Sequence, residues 1–310
     1  MSDQFRTIVK PVKPDFSISH KDAIYLAGSC FAENIGQMLS RARFNVQMNS
    51  HGIIFNPLSL ATSLEDALLN RKYEKSGLIE KDGFFHSMNH HGKFNSPSAE
   101  NTIGLINHEI EVTHKFLFEA KLLLITFGSS WIYRYIKTKE PVANCHKFGQ
   151  QEFVKELIDP SQIVERWKSI ILDLQKKIPE MKIVITISPV RHWRDGVVEN
   201  QLSKAGLVIA TQQLVSMFSH VKYFPSYEIM LDDLRDYRFY KEDMLHPNEV
   251  AINYIWDIFS DWLFDDLTQS RLQRIEPLLR FLEHKPMHTS KAHHDELCLM
   301  KEAQITEILK

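Results

Sequence analysis

The 310-residue chain has only three cysteines, Cys30, Cys145 and Cys298, spread far apart. An odd, scattered set argues against a disulfide framework, so the thiols are expected to be reduced. A basic excess is also missing: 37 Lys+Arg face 39 Asp+Glu, for a formal charge of −2. That balance lacks the electrostatic footprint of nucleic-acid binding, and no nucleic-acid partner is expected. Apolar runs stay far short of the roughly 18–20 residues that span a bilayer; Leu122–Phe127 ends at Gly128-Ser129-Ser130. The first fourteen residues lack the apolar core of a signal peptide. These absences point to a cytoplasmic chain with no membrane partner. Internal repeats, long linkers and low-complexity tracts are missing too. What is present is average: 44% apolar and 25% charged residues, which excludes wholesale disorder. At about 100–200 residues per domain, the length allows one large domain or two small ones.

Short apolar runs recur between amphipathic stretches. Ile24-Tyr25-Leu26-Ala27, Leu122–Phe127 and Ile183-Val184-Ile185-Thr186-Ile187 are continuous and β-prone, as suits parallel strands buried on both faces. Phe44–Met48 alternates and fits a strand nearer an edge, and Val221–Phe224 is a fifth candidate, stopped by Pro225. Helical spacing marks Phe31–Arg43, Ser59–Leu69, Pro160–Lys177, Asn200–Phe218 and Asn248–Leu263. Pro247 suits the first position of the last of these. Alternation of strand and helix predicts a doubly wound α/β sheet with right-handed crossovers. Residues 71–120 interrupt the rhythm, with a hairpin signal at Lys81-Asp82-Gly83 and a helix near His108–Phe118. From 266 onward the pattern is helical, broken at Pro286, with a last helix over Asp295–Leu309. The expected organisation is one domain over 20–265, with an insertion at about 71–120, and a helical C-terminal extension over 266–310.

Open parallel sheets bind ligands beyond the carboxyl ends of their strands. The first such turn reads Gly28-Ser29-Cys30-Phe31 and opens a helix. The amides and dipole there favour negative charge, so a thiol at this point is expected to ionise more readily. The same residues also fit a simple helix start, with Cys30 as cap and Glu33 completing a capping box. Far along the chain, Asp243 precedes His246 by three residues, close enough to bond its imidazole and fix one tautomer. A nucleophile, a base and an orienting carboxylate form the logic of covalent acyl transfer. Asp-x-x-His-Pro alone equally describes a turn that leads into a helix.

Taken together, these segments resemble a known family. Gly28-Ser29-Cys30-Phe31-Ala32 is similar to the signature of the GSCFA family, within the SGNH (GDSL-like) hydrolase superfamily. The resemblance continues through Gly52–Pro57 and Phe127–Tyr133, then Val142–Lys147, Ser188–Gly196, Asn200–Ala205 and Asp243–Pro247, over roughly residues 20–260.

The resemblance implies a flavodoxin-like three-layer α/β fold and an ester-directed hydrolase or acyltransferase needing no cofactor. Laid on the superfamily's Gly-Asp-Ser block, Cys30 takes the nucleophile position and Phe31 the apolar residue after it; the other register makes Ser29 the nucleophile. His246 matches the general base and Asp243 its orienting carboxylate. Gly52 matches the glycine whose N–H helps form the oxyanion hole. In the third block, Gly128-Ser129-Ser130-Trp131 replaces Gly-x-Asn-Asp, so the asparagine donor is lost. The Ser130 hydroxyl or Asn144 is then expected to stand in, with Asn56 and Ser129 also at the site. That departure keeps open a second function class, a ligand-binding module without chemistry.

Arg191, His192, Arg194 and Lys204 are cations and imidazole suited to an anionic small-molecule substrate, or to a solvated loop. His86, His90 and His91 invite a metal assignment, including a metal phosphoesterase. They are better read as exposed loop residues, since zinc needs three or four converging ligands, and no metal is expected. Trp131, Tyr133, Trp256 and Phe259 are expected in the core, and Trp193 beside a pocket. Oligomeric state is left open by the sequence.

Overall fold

Continuous apolar runs become strands because both faces of each are covered. The computed structural model describes residues 7–284 and 291–310. In chain order its first elements are β1 (Ala23–Gly28), α1 (Cys30–Arg41), β2 (Asn45–Met48), α2 (Pro57–Leu69), β3 (Ile79–Lys81), β4 (Phe84–His86) and α3 (Ala99–Glu119). There follow β5 (Ala120–Phe127), β6 (Trp131–Tyr135), β7 (Phe153–Leu157), α4 (Pro160–Lys177), β8 (Lys182–Ile187), α5 (Val197–Met217) and β9 (Val221–Phe224). The short α6 (Ser226–Glu228), α7 (Glu249–Leu263), α8 (Asp266–Glu283) and α9 (Lys291–Leu309) complete the chain.

Five strands pair in the order β2-β1-β5-β8-β9, every pair parallel. Counted along the chain this is the 2-1-3-4-5 order of flavodoxin-like sheets, whose switch point lies between the first and third strands. Side chains of a strand alternate between faces, and the core divides accordingly. Tyr25, Ala27, Leu123, Ile125 and Phe127 pack with Leu60, Leu64, Trp167, Ile170 and Leu207 on the α2, α4 and α5 side. Ile24, Leu26, Leu122 and Leu124 pack with Phe31, Ile35, Ile255 and Phe259 under α1 and α7. The result is helix, sheet, helix. β2, which alternates in sequence, is an edge strand with partial exposure.

The hairpin at Asp82-Gly83 forms as β3 and β4, with both turn residues at positive φ, 52° and 75°. α3 runs longer than expected, from a Ser98 cap that accepts the Asn101 N–H. It feeds directly into β5, so the irregular part of this connection is shorter than 71–120. A second hairpin, β6 with β7, went unforeseen. It places Trp131 and Tyr133 at intermediate exposure, and Trp256 is only partly covered; of the four aromatics expected in the core, Phe259 alone is buried. Pro247 lies outside α7, whose cap is Asn248, accepting from Ala251 N. α9 packs on α8 through Ile275, Leu279 and Ile305, and the break expected at Pro286 falls outside the described residues. Among the described residues no helix is long and apolar enough to cross a membrane.

Candidate active site

The carboxyl end of β1 is built by close approach. Gly28 has φ +138°, and a Cβ there would meet the Thr126 carbonyl oxygen of β5 at 2.1 Å, so a side chain cannot be accommodated. The Gly28 N–H donates to Asn49 Oδ1 (2.9 Å) and the Ser29 N–H to Thr126 O (3.1 Å). Ser29, not Cys30, caps α1: its hydroxyl accepts the Phe31 N–H at 3.3 Å and it is 0% exposed. Cys30 is the first helical residue and only partly buried. The two nucleophile registers therefore differ in access, with Ser29 sealed and used as a cap.

The expected ease of ionisation does not hold. Burial pushes the Cys30 thiol up, and the Glu33 carboxylate adds to it; the Cys30 and Phe31 amides and the charge of Lys204 pull the other way without prevailing. The helix start contributes as expected, but desolvation of a thiolate outweighs it. The Cys30 thiol is thus held toward its protonated form.

His246 and Asp243 meet as the spacing predicts. Asp243 Oδ2 lies 2.6 Å from His246 Nδ1, while Oδ1 accepts the N–H groups of Leu245 (2.9 Å) and His246 (3.0 Å). Those amides, then the imidazole, hold the Asp243 carboxyl down to about 2. The turn between them places Met244 at φ +58°, unusual for a side-chain-bearing residue. Arg191 clasps this turn: its N–H donates to Leu245 O (3.1 Å) and its Nη1 to Met244 O (3.2 Å). Its guanidinium stacks 4.0 Å from the Trp193 ring centre, with Tyr240 and Tyr237 farther off. Arg191 also lines a cavity of about 260 Å³ with Gln201, Tyr227, Tyr237 and Tyr240.

Several expected substrate or oxyanion residues are already committed within the fold. The Gly52 N–H donates to Asn49 O at 2.7 Å, so it is not a free oxyanion donor; glycine is required there because a Cβ would meet His91 Cβ at 2.1 Å. Asn56 caps α2 through Ser59 N (2.8 Å) and donates to Ser59 Oγ and Val142 O (3.1 Å each), a structural assignment rather than a binding one. Ser130 does not stand in for the missing asparagine: it is 0% exposed and its hydroxyl donates to Ser203 O at 3.0 Å. Ser129 is buried, with its Oγ 3.1 Å from Ser203 Oγ. Asn144 accepts the His146 N–H at 2.8 Å, shaping its own loop.

His192 stands at the edge of the Phe55 ring, its Nε2 buried without a hydrogen-bond partner among the described residues. Burial first, then the charges of Lys204 and His246, push its imidazole down to about 3, so it is neutral rather than cationic. His86 and His90 are buried, contrary to their expected exposure, because they pack against His146, Phe148, His51 and Tyr73; His91 is exposed.

Two positions carry more than the sequence suggested. Asn49, at φ 43°, uses Oδ1 to fix Gly28, and its Nδ2 is buried without a partner among the described residues. Its signal was an asparagine directly after a strand, a residue type that tolerates left-handed backbone. Lys204, expected among the cations for an anionic substrate, is on α5 and 1% exposed; its Nζ donates to Gly128 O (2.8 Å) and Ser188 O (2.7 Å), beyond β5 and β8.

A family model described as the GSCFA family matches residues 23–259. No curated protein sequence matches the chain. Among solved structures, a family 3 carbohydrate esterase of Clostridium thermocellum is 13% identical, with 82% of this chain and 98% of that one covered, at a TM-score of 0.34. An acetyl xylan esterase from the rumen bacterium Butyrivibrio proteoclasticus is 11% identical, covering 80% of this chain and 64% of that one, at a TM-score of 0.41. A family 3 carbohydrate esterase from Talaromyces cellulolyticus is 8% identical over 84% of this chain and 98% of that one, at a TM-score of 0.34.

Proposed function

The chain belongs to the GSCFA family, and from that membership we propose an SGNH-like hydrolase or acyltransferase that acts on an ester bond through Cys30, His246 and Asp243. The observation that carries the proposal is the 2.6 Å contact of Asp243 Oδ2 with His246 Nδ1, in a turn where two backbone amides immobilise the other carboxylate oxygen. A carboxylate at that distance favours the tautomer with the proton on Nδ1, which supports Nε2 as the basic nitrogen.

In the proposed reaction, His246 Nε2 takes the Cys30 proton as the sulfur attacks the ester carbonyl. The tetrahedral intermediate collapses when His246 returns that proton to the leaving alkoxide, which departs as an alcohol and leaves a thioester on Cys30. Water, deprotonated by His246, then attacks the thioester; the acid leaves and the thiol is regenerated. An alcohol in place of water gives acyl transfer. The Cys30 N–H, at the start of a helix whose first N–H groups have no intrahelical acceptor, is the donor favoured for the oxyanion. A small anionic substrate is proposed on the strength of Arg191, which lines a cavity and bonds this turn.

Purified protein is tested against short-chain p-nitrophenyl esters with Cys30→Ala, Ser29→Ala and His246→Ala. The proposal expects turnover by the parent chain and loss in Cys30→Ala and His246→Ala. Loss in Ser29→Ala with Cys30→Ala unaffected moves the nucleophile, and inertness toward every ester with an unreactive Cys30 rejects the activity.

One observation favours a second reading, a binding module on the same fold: both the Gly52 N–H and the Ser130 hydroxyl are occupied within the protein. A ligand that survives purification and binds Cys30→Ala as tightly as the parent, without turnover, supports that reading instead.

A further inference from the structure

A lysine ammonium is rarely buried unless an acid neutralises it. Lys204 is an exception: it is 1% exposed, and the partners of its Nζ are two main-chain carbonyls, Gly128 O at 2.8 Å and Ser188 O at 2.7 Å. Its remaining neighbour of note is the Tyr227 ring, 5.5 Å away. No carboxylate pairs with it among the described residues. These carbonyls follow β5 and β8, and β1, which ends at Gly28 before Cys30, is the other neighbour of β5. The switch point of the sheet therefore brings Cys30 and an unneutralised cation to one edge.

We propose that Lys204 is a positioning residue for Cys30, its ammonium supplying the positive charge that favours the thiolate when the base removes the proton. This rests on Cys30 as the nucleophile. The hydrogen bonds to Gly128 O and Ser188 O hold the ammonium rigidly, so stabilising the anion requires no reorganisation at the moment of ionisation. The charged groups that act on Cys30 are few: Glu33 disfavours the thiolate and Lys204 favours it, with the Cys30 and Phe31 amides assisting. On Lys204 itself, burial and Cys30 act, and its charge in turn disfavours protonation of His192. In support, burial holds the Lys204 ammonium down to about 7 and Cys30 acts in the opposite sense, so the two ionisations are linked.

The test is the pH profile of Cys30 alkylation by iodoacetamide, resolved by peptide mass spectrometry so that Cys145 and Cys298 do not interfere. Lys204→Met, a neutral side chain of similar length, is expected to slow alkylation about tenfold at pH 7, the size of effect a nearby opposite charge exerts. Lys204→Arg, if folded, retains the charge and restores most of the rate. A Lys204→Met profile that coincides with the parent's overturns the proposal. Should Lys204→Met fail to fold, the parent chain alone decides: coupling stretches its profile below the slope of a single ionisation, whereas a single-site curve overturns the proposal. Ester turnover plays no part in this readout. A shifted profile without esterase activity keeps Lys204 and discards the hydrolase, and turnover with an unmoved profile does the reverse.

Discussion

Asp243 and His246 form a 2.6 Å contact in which the carboxylate is also held independently of the imidazole, because its second oxygen accepts two consecutive main-chain N–H groups. The pair is exposed, with side chains 44% and 42% accessible. Its value therefore lies in orientation and tautomer rather than in stability, since exposed ion pairs contribute little. The Asp243 carboxyl, held down to about 2, stays ionised throughout any practical assay range.

Asp243→Asn keeps the shape of the turn but inverts the hydrogen bond, favouring the wrong tautomer. The expected result is a fall in kcat by about 100-fold or more, with Tm little changed. Steady-state kinetics with a p-nitrophenyl ester, beside a thermal melt, checks both halves.

Glu33 raises the energy of the Cys30 thiolate. Its removal in Glu33→Gln lowers the thiol's ionisation point, so Cys30 alkylation at pH 7 is expected to accelerate several-fold. The sign is opposite to that for loss of Lys204, and a slower rate would contradict it.

Ser130 donates to Ser203 O at 3.0 Å and is sealed from solvent. Ser130→Ala is therefore expected to cost about 1 kcal/mol of stability and to change kcat by less than about tenfold. A loss of roughly 100- to 1,000-fold, the effect of removing an oxyanion donor, would return Ser130 to the site.

His51 and His90 are buried neutral imidazoles. Burial, with help from Lys93, holds His51 down to about 4, and burial holds His90 well below its ordinary 6.5. The unfolded chain takes up protons as pH falls through 6.5 while the folded chain does not, so stability is full above that pH and falls below it. For His51 the loss continues to about pH 4 and amounts to about 3 kcal/mol. Chemical denaturation from pH 7.5 to 4.5 measures it, and a flat profile contradicts the assignment.

The sheet was legible because strands covered on both faces must be apolar throughout, and β1, β5 and β8 lie within or beside the expected runs. The Asp82-Gly83 turn was equally plain, since few residue pairs accept two positive φ angles. The β6–β7 hairpin was hidden: its strands pair across the long connection of residues 136–152, and Trp131-Ile132-Tyr133 suits core or hairpin alike. At the site, the Asp243–His246 contact is local and follows from spacing. Lys204 is not local. On α5 it reads as an ordinary helix lysine, and only the packing of that helix across β5 and β8 turns its ammonium into a buried group. The commitments of Gly52, Asn56 and Ser130 are tertiary in the same way, made to partners that the family pattern does not specify.

The most direct measurement is to quench the protein during exposure to p-nitrophenyl acetate and map the acetyl group by peptide mass spectrometry. The expected result is an acetyl thioester on Cys30, absent from Cys30→Ala and formed far more slowly in His246→Ala. An acetyl group on Ser29, or no adduct while Cys30 remains intact and free, contradicts the assignment of Cys30 as nucleophile.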